Sequence, residues 1–223
     1  MWLYASVVSM TVMPGTFCTG GVRSLCTAGR YGATAGMSSA ACSGMCAAGR
    51  AGIVDGLTNS SCSGECEAGF YCPAGSTSFT AVPCGNAGVY CPPASGGPTT
   101  VSAGYYSSGG SSSTTNTGQT QCERGYYCTN GVRTPCPAGK YRADVGADDL
   151  LDCLDCDAGY VCPLASWAGS VSTDSNNLVA ECGSSAVYCP AGSSSASVVE
   201  AGYYSSGGNS TSTRTAQTIC PLG

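Results

Sequence analysis

The sequence predicts small disulfide-rich tandem modules, made of short β-strands and irregular loops and strung into an elongated rod. Three observations predict it. The first is composition: 18 cysteines and 33 glycines stand in 223 residues, and only 9% of the chain is charged. Small residues at this density bury little apolar area each, which argues against one thick hydrophobic core. A cysteine content this high marks a disulfide scaffold made in an oxidising compartment. A bridge closing a loop of about 15 residues contributes roughly 3 kcal/mol by restricting the unfolded chain, so several bridges can replace a missing core.

The second observation is an internal repeat. C-D-A-G-Y-V-C-P at 156–163 answers C-E-A-G-F-Y-C-P at 66–73, and V-Y-C-P at 187–190 answers V-Y-C-P at 89–92. A-G-Y-Y-S-S-G-G at 201–208 is identical to 103–110, and the two copies close on Cys220 and Cys122. The change in length lies between Cys72 and Cys84, whose counterpart Cys162 to Cys182 is longer, so that segment reads as a surface loop. The third observation is that no window sustains helical periodicity, leaving strands of two to four residues and turns.

Four segments follow in order: an apolar N-terminal strand over 1–15, short cysteine-rich repeats over 16–65, a long repeat over 66–155, and its truncated second copy over 156–223. The stretch M-W-L-Y-A-S-V-V-S-M-T-V at 1–12 is the most apolar in the chain. It lacks the positive n-region of a signal peptide, and its Trp, Tyr and Val favour a strand. G-T-F-C at 15–18 aligns with G-Y-Y-C at 125–128, and G-V-R-S-L-C at 21–26 with G-V-R-T-P-C at 131–136. The chain thus enters mid-module, with Val12 standing where Cys122 stands in the other copy. Cys26, Cys46 and Cys66 are evenly spaced, and each unit reads C-x-A-G, a small-residue loop, then C-S-G-x-C; the unit returns at 136–156. The glycine suits a turn of positive φ, and the aromatic that often follows offers a flat face to a disulfide. C-P-L-G at 220–223 repeats the opening phrase of a further module.

The same composition excludes function classes. A net charge of −5 leaves no basic patch for nucleic acid. Histidine is absent, so neither a Ser–His–Asp nor a Cys–His arrangement can form within this chain. No phosphate loop, hydrolase elbow or paired-acid site rises above background, and the expectation is a non-enzyme without catalytic residues or cofactor. No apolar run is long enough to cross a bilayer, so no membrane insertion is expected in this segment. Cys42 with Cys46, Cys62 with Cys66, and Cys153 with Cys156 have spacings that zinc accepts, but without histidine the repeated pattern favours disulfides over metal. The cluster Asp144, Asp148, Asp149, Asp152, Asp155 and Asp157 offers hard oxygens, yet matches no calcium loop and reads as a solvated face. The pairs Tyr105–Tyr106, Tyr126–Tyr127 and Tyr203–Tyr204 recur at one repeat position, which favours module packing over sugar stacking.

The Ser/Thr/Gly tracts 107–118 and 205–218 are tethered between cysteines and read as loops. Asn59-Ser60-Ser61 and Asn209-Ser210-Thr211 fit the N-glycosylation pattern, which makes Asn59 and Asn209 candidate acceptors. Thr114, Thr115, Ser210 and Thr213 are candidates for O-linked sugar.

The recurring C-P-A-G-x-Y and C-x-x-G-Y-Y-C phrases resemble the ephrin type-A/B receptor-like cysteine-rich repeats, related in style to tumour necrosis factor receptor and epidermal growth factor modules. The likeness covers about 16–223. It implies large extracellular proteins of algae and protists, including filament components, as well as animal receptors. The first cysteine of the pattern is missing at Val101 and Val199. The resemblance implies that Cys26–Cys42, Cys46–Cys62 and Cys136–Cys153 each close one loop. Continuing that ladder gives Cys66–Cys72, Cys84–Cys91, Cys122–Cys128, Cys156–Cys162 and Cys182–Cys189. Cys18 and Cys220 are then left over, at the positions of Cys128 and Cys122, as a candidate bond between subunits. A ladder shifted by one, from Cys18–Cys26 to Cys189–Cys220, remains open, as does a crossed pattern such as Cys66–Cys84 with Cys72–Cys91.

These readings lead to an extracellular location, secreted or at the cell surface. The function expected is that of a structural, glycosylated filament component, a homo-oligomer joined head to tail. The alternative is a ligand-binding or adhesion ectodomain of a cell-surface receptor.

Overall fold

A computed structural model of the chain describes residues 12–171 and 178–221. Nearly all of its regular structure is short antiparallel strand pairing, eleven two-stranded sheets among the described residues. The exception is a 3-10 turn at Leu150–Asp152. Of the strand expected over 1–15, residues 1–11 lie outside the described residues, and Pro14 and Gly15 form a turn leading into Thr16–Thr19.

The chain divides into two compact units, Met1–Thr100 with Ser108–Gly118, and Val101–Ser107 with Gln119–Gly223. In the first, Thr16–Thr19 pairs with Val22–Leu25, Arg30–Tyr31 with Gly44–Met45, and Arg50–Ala51 with Gly64–Glu65. Phe70–Tyr71 with Val82–Pro83 and Val89–Tyr90 with Thr99–Thr100 complete it. In the second, Tyr126–Thr129 pairs with Val132–Pro135, Lys140–Tyr141 with Leu154–Asp155, and Tyr160–Val161 with Ala180–Glu181. Val187–Tyr188 with Ser197–Val198 and Tyr203–Ser206 with Ala216–Ile219 follow, and Tyr105–Ser108 with Gly118–Gln121 makes the eleventh pair.

Local chemistry accounts for these elements. The hairpin Thr16–Thr19/Val22–Leu25 turns through Gly20-Gly21 at φ +53° and +78°, and Tyr126–Thr129/Val132–Pro135 turns through Asn130-Gly131 at +52° and +75°. Two successive left-handed residues make the two-residue turn whose twist matches the flanking strands, and Gly and Asn adopt it at least cost. Several of the two-residue strands, Gly44–Met45, Gly64–Glu65, Phe70–Tyr71 and Val89–Tyr90 among them, run directly into a disulfide-bonded cysteine.

The interior is largely sulfur. The largest side chains that are less than 2% exposed, among the described residues, are those of ten cysteines and Ser166. Eight disulfides supply the cysteines: Cys26–Cys42, Cys46–Cys62, Cys66–Cys72, Cys84–Cys91, Cys122–Cys128, Cys136–Cys153, Cys156–Cys162 and Cys182–Cys189. These are the pairs of the loop-closing ladder, not those of the shifted or crossed arrangement. Aromatic rings cover the bonds: Phe70 and Phe79 lie on Cys66 and Cys72, and Tyr160 on Cys156 and Cys162. Large aliphatic residues such as Leu151, Ile53 and Leu164 remain exposed. Disulfides in this number point to an extracellular or secreted protein. No described helix is long and apolar enough to cross a membrane.

Candidate functional site

The functional candidate is the face by which one module meets the next. In the first unit, the Gly29 amide donates to the Gly52 carbonyl (2.8 Å), Gly49 to Cys72 (2.8 Å) and Gly69 to Cys91 (2.8 Å). Bonds also run the other way, from Gly75 to Cys46 (2.9 Å) and from Ala94 to Cys66 (3.0 Å). The second unit repeats the step, with Gly139 to Cys162 and Gly159 to Cys189 (both 2.8 Å), and Ala165 to Cys136 (3.0 Å) in return. Backbone groups buried at a module face are thus satisfied by the neighbouring module, so the contact is independent of most side chains.

One side-chain device accompanies the ladder and lies beyond what the sequence reading expects. Ser76, Ser95, Ser166 and Ser193 each donate their hydroxyl to the carbonyl of the proline three residues earlier, at 2.6–2.7 Å. The serine carbonyls then accept from the adjacent module: Gly52 to Ser76 (2.9 Å), Cys72 to Ser95 (2.9 Å), Arg142 to Ser166 (3.1 Å) and Cys162 to Ser193 (3.1 Å). The signal is present as a recurring Pro-x-x-Ser after a cysteine, in P-A-G-S, P-P-A-S and P-L-A-S.

The most elaborate face is that of residues 101–107 and 119–121 against 122–147. Gly104 is buried with φ +74°, and a Cβ there would overlap the Gly146 carbonyl. Tyr106 bridges in parallel to Gly131, the Ser107 amide donates to the Gly131 carbonyl (3.0 Å), and Gly146 donates to the Cys122 carbonyl (2.8 Å). Cys122–Cys128 fastens the step. A charged cluster surrounds it. The Tyr106 hydroxyl donates to Glu123 Oε1 (2.9 Å), which also accepts from Arg133 Nη1 (3.1 Å). The Arg133 guanidinium lies 5.3 Å from the Tyr106 ring centre and 4.7 Å from that of Tyr126. Burial opposes the charge on Glu123, but hydrogen bonds from its own backbone, Tyr106 and Arg133 outweigh it, and the pKa falls below the ordinary value. Donating to that carboxylate, with some burial and the carboxylate's charge, pushes the Tyr106 phenol up.

The two unbonded cysteines lie on matching faces. Cys18 is half-buried, Cys220 exposed, and neither has a disulfide partner among the described residues. Cys18 sits in a hairpin of the same register as Cys128: Cys18 opposes Arg23, and Cys128 opposes Arg133. Around it, Gly15 donates to Gly32 (2.7 Å) and Cys18 to Met37 (2.9 Å), as Gly125 does to Arg142 and Cys128 to Ala147 (both 2.9 Å). Cys220 donates to Gly202 (2.9 Å), as Cys122 does to Gly104 (2.9 Å).

The acidic cluster is a folding device. Asp149 caps the 3-10 turn by accepting from the Leu151 amide (2.9 Å), and Asp152 Oδ2 accepts from Asp148 (2.9 Å) and Asp149 (3.3 Å). The bond from the Asp148 backbone, with that from Asp149 and the Arg142 charge, lowers the Asp152 pKa against the cost of burial. Asp155 pairs with Lys140 at 2.6 Å. Among the described residues, no group of three or more metal-ligating side chains converges.

Asn59 and Asn209 are both exposed. Asn59 Oδ1 accepts from the Ser61 amide (3.0 Å), and Asn209 rims an open recess with Tyr160 and Glu181. Thr114 and Ser210 are exposed, whereas Thr213 is buried and its hydroxyl accepts from the Asn209 (3.3 Å) and Ser210 (3.1 Å) amides. The Thr115 hydroxyl serves the Ser112 amide in the same way (3.1 Å).

No protein-family model matches the sequence, and no curated protein matches it.

Proposed function

We propose that this chain is a structural, non-enzymatic component of a secreted, glycosylated extracellular filament, with subunits joined head to tail. The observation that carries this reading is the matched pair of faces around Cys18 and Cys220, whose hairpin register and backbone hydrogen bonds repeat those on the two sides of the Cys122–Cys128 step. A heterologous contact whose rotation does not close generates an open filament rather than a ring. Covalent staples throughout suit a part that bears tension outside the cell, and the backbone ladder supplies a contact that tolerates surface variation. Asn59, Asn209, Thr114 and Ser210 are the exposed positions at which the filament would carry sugar.

Peptide mapping of native material without reduction tests the reading. The expected product is a peptide in which Cys18 of one chain is bonded to Cys220 of another, with glycans on the asparagine sites. A uniform monomer with both thiols free would defeat it.

A further inference from the structure

The amide of Gly36 donates to the Val12 carbonyl at 3.0 Å, whereas its counterpart Gly146 donates to the Cys122 carbonyl at 2.8 Å. Val12 therefore fills, within its own chain, the place that Cys122 fills one step from its disulfide partner. The sequence interval from Val12 to Cys18 equals that from Cys122 to Cys128, which is 6. The rest of this face is open where its counterpart is covered: Gly21 is exposed while Gly131 is buried. The donor side shows the same contrast. Gly202 is exposed while Gly104 is buried, and Tyr203 and Tyr204 are 39% and 49% exposed.

We infer that Val12 and the turn after it are a placeholder, displaced when the Tyr203–Ser206/Ala216–Ile219 hairpin of a second copy docks on the Thr16–Thr19/Val22–Leu25 hairpin. The inference rests on the head-to-tail reading and adds its mechanism. The Gly36 amide exchanges the Val12 carbonyl for the Cys220 carbonyl of the incoming copy. The Ser205 amide of that copy meets the Gly21 carbonyl, and its Tyr204 lies over Arg23, as Tyr106 does over Arg133. The Cys220 sulfur then reaches Cys18. Bond formation removes one proton and one electron from each thiol, and both pairs pass to a low-molecular-weight disulfide oxidant, which leaves as two thiols. While the Val12 carbonyl occupies the Gly36 amide, the Cys220 carbonyl of a second copy has no place there, so the bond waits on the exchange. Exchange of an intramolecular segment for the same surface of a neighbour is a low-cost route to assembly, because each hydrogen bond broken within the chain is remade between chains.

The test is V12C in the full chain, oxidised with a glutathione redox buffer and mapped without reduction beside the wild type. The new thiol at position 12 is expected to bond Cys18 within one chain, as Cys122 bonds Cys128, and to abolish the Cys18–Cys220 link between chains. Deletion of residues 1–12 is expected to act oppositely and speed that link. If V12C leaves position 12 unbonded to Cys18 while chains still join through Cys18 and Cys220, the placeholder is overturned and the filament reading stands. If position 12 bonds Cys18 but wild-type chains never join, the head-to-tail reading fails and the exchange falls with it.

Discussion

Residues 103–110 and 201–208 carry the same eight letters, A-G-Y-Y-S-S-G-G, and live in different surroundings. In the first, Gly104 is buried under the Gly146 carbonyl and Tyr106 is held by Glu123 and Arg133. In the second, Gly202 and both tyrosines are exposed, and no described atom lies within 4 Å of where a Gly202 Cβ would stand. Both phrases form the same hairpin strand, Tyr105–Ser108 and Tyr203–Ser206. Local sequence therefore sets the conformation of the phrase, and the module that follows sets its burial and its energetics.

The largest effect should come from adding one methyl group at each glycine. Both hold positive φ, +74° at Gly104 and +86° at Gly202, where an L side chain costs about 1–2 kcal/mol. Gly104→Ala adds an overlap with backbone that cannot move aside, at roughly 1–3 kcal/mol more. Denaturant unfolding should show Gly104→Ala destabilised by about 3 kcal/mol and Gly202→Ala by about 1 kcal/mol. Equal losses would mean that the module face at 122–147 does not press on Gly104.

A smaller effect separates the tyrosines. Tyr106→Phe removes a hydrogen bond to a carboxylate that is 44% exposed, so solvent screening holds its expected cost to about 1 kcal/mol. Tyr204→Phe should leave the stability of the isolated chain unchanged within about 0.5 kcal/mol. Ultraviolet titration sharpens the pair: the phenol of Tyr106 ionises above the ordinary tyrosine range, and Glu123→Gln should bring it down.

The module pattern is legible in the sequence because cysteines, glycines and turn pairs act locally. Gly20-Gly21 and Asn130-Gly131 specify their hairpins outright, and the C-x-x-G spacing reports the positive φ of each turn. The face chemistry is less legible. Glu123 and Arg133 stand ten residues apart (133 − 123) with nothing in their spacing to join them to Tyr106; a hairpin turn and a disulfide bring the three together. Asn116 escapes the sequence for a similar reason. It lies inside a Ser/Thr tract, yet its side-chain amide donates to the Asn86, Val89 and Ser113 carbonyls and is buried. The acidic cluster does hold a local signal, since an Asp followed three residues later by another acid is close to a capping box.

The smallest effect is the most diagnostic of the difference between the two copies. Glu123 titrates below its ordinary value in the folded chain because Tyr106 and Arg133 bond its charged form more than burial disfavours it. A carboxyl whose folded pKa is depressed contributes stability that is complete above its unfolded pKa, about 4.3, and that is lost as pH falls through the folded value. The stability difference between the wild type and Glu123→Gln should therefore be constant near neutrality and shrink below about pH 4. Asp152, also depressed, loses its contribution in the same acid range through the amides of Asp148 and Asp149, so Asp152→Asn serves as the control for a carboxylate outside the face. At the position of Glu123 the second copy has Pro221, which does not titrate, so no acid-sensitive step is expected there. Hydrogen exchange at acid pH should accordingly loosen the Ser107 amide, donor to Gly131, before that of Cys220, donor to Gly202. Simultaneous loosening of the two would mean that Glu123 stabilises the whole unit rather than its own face.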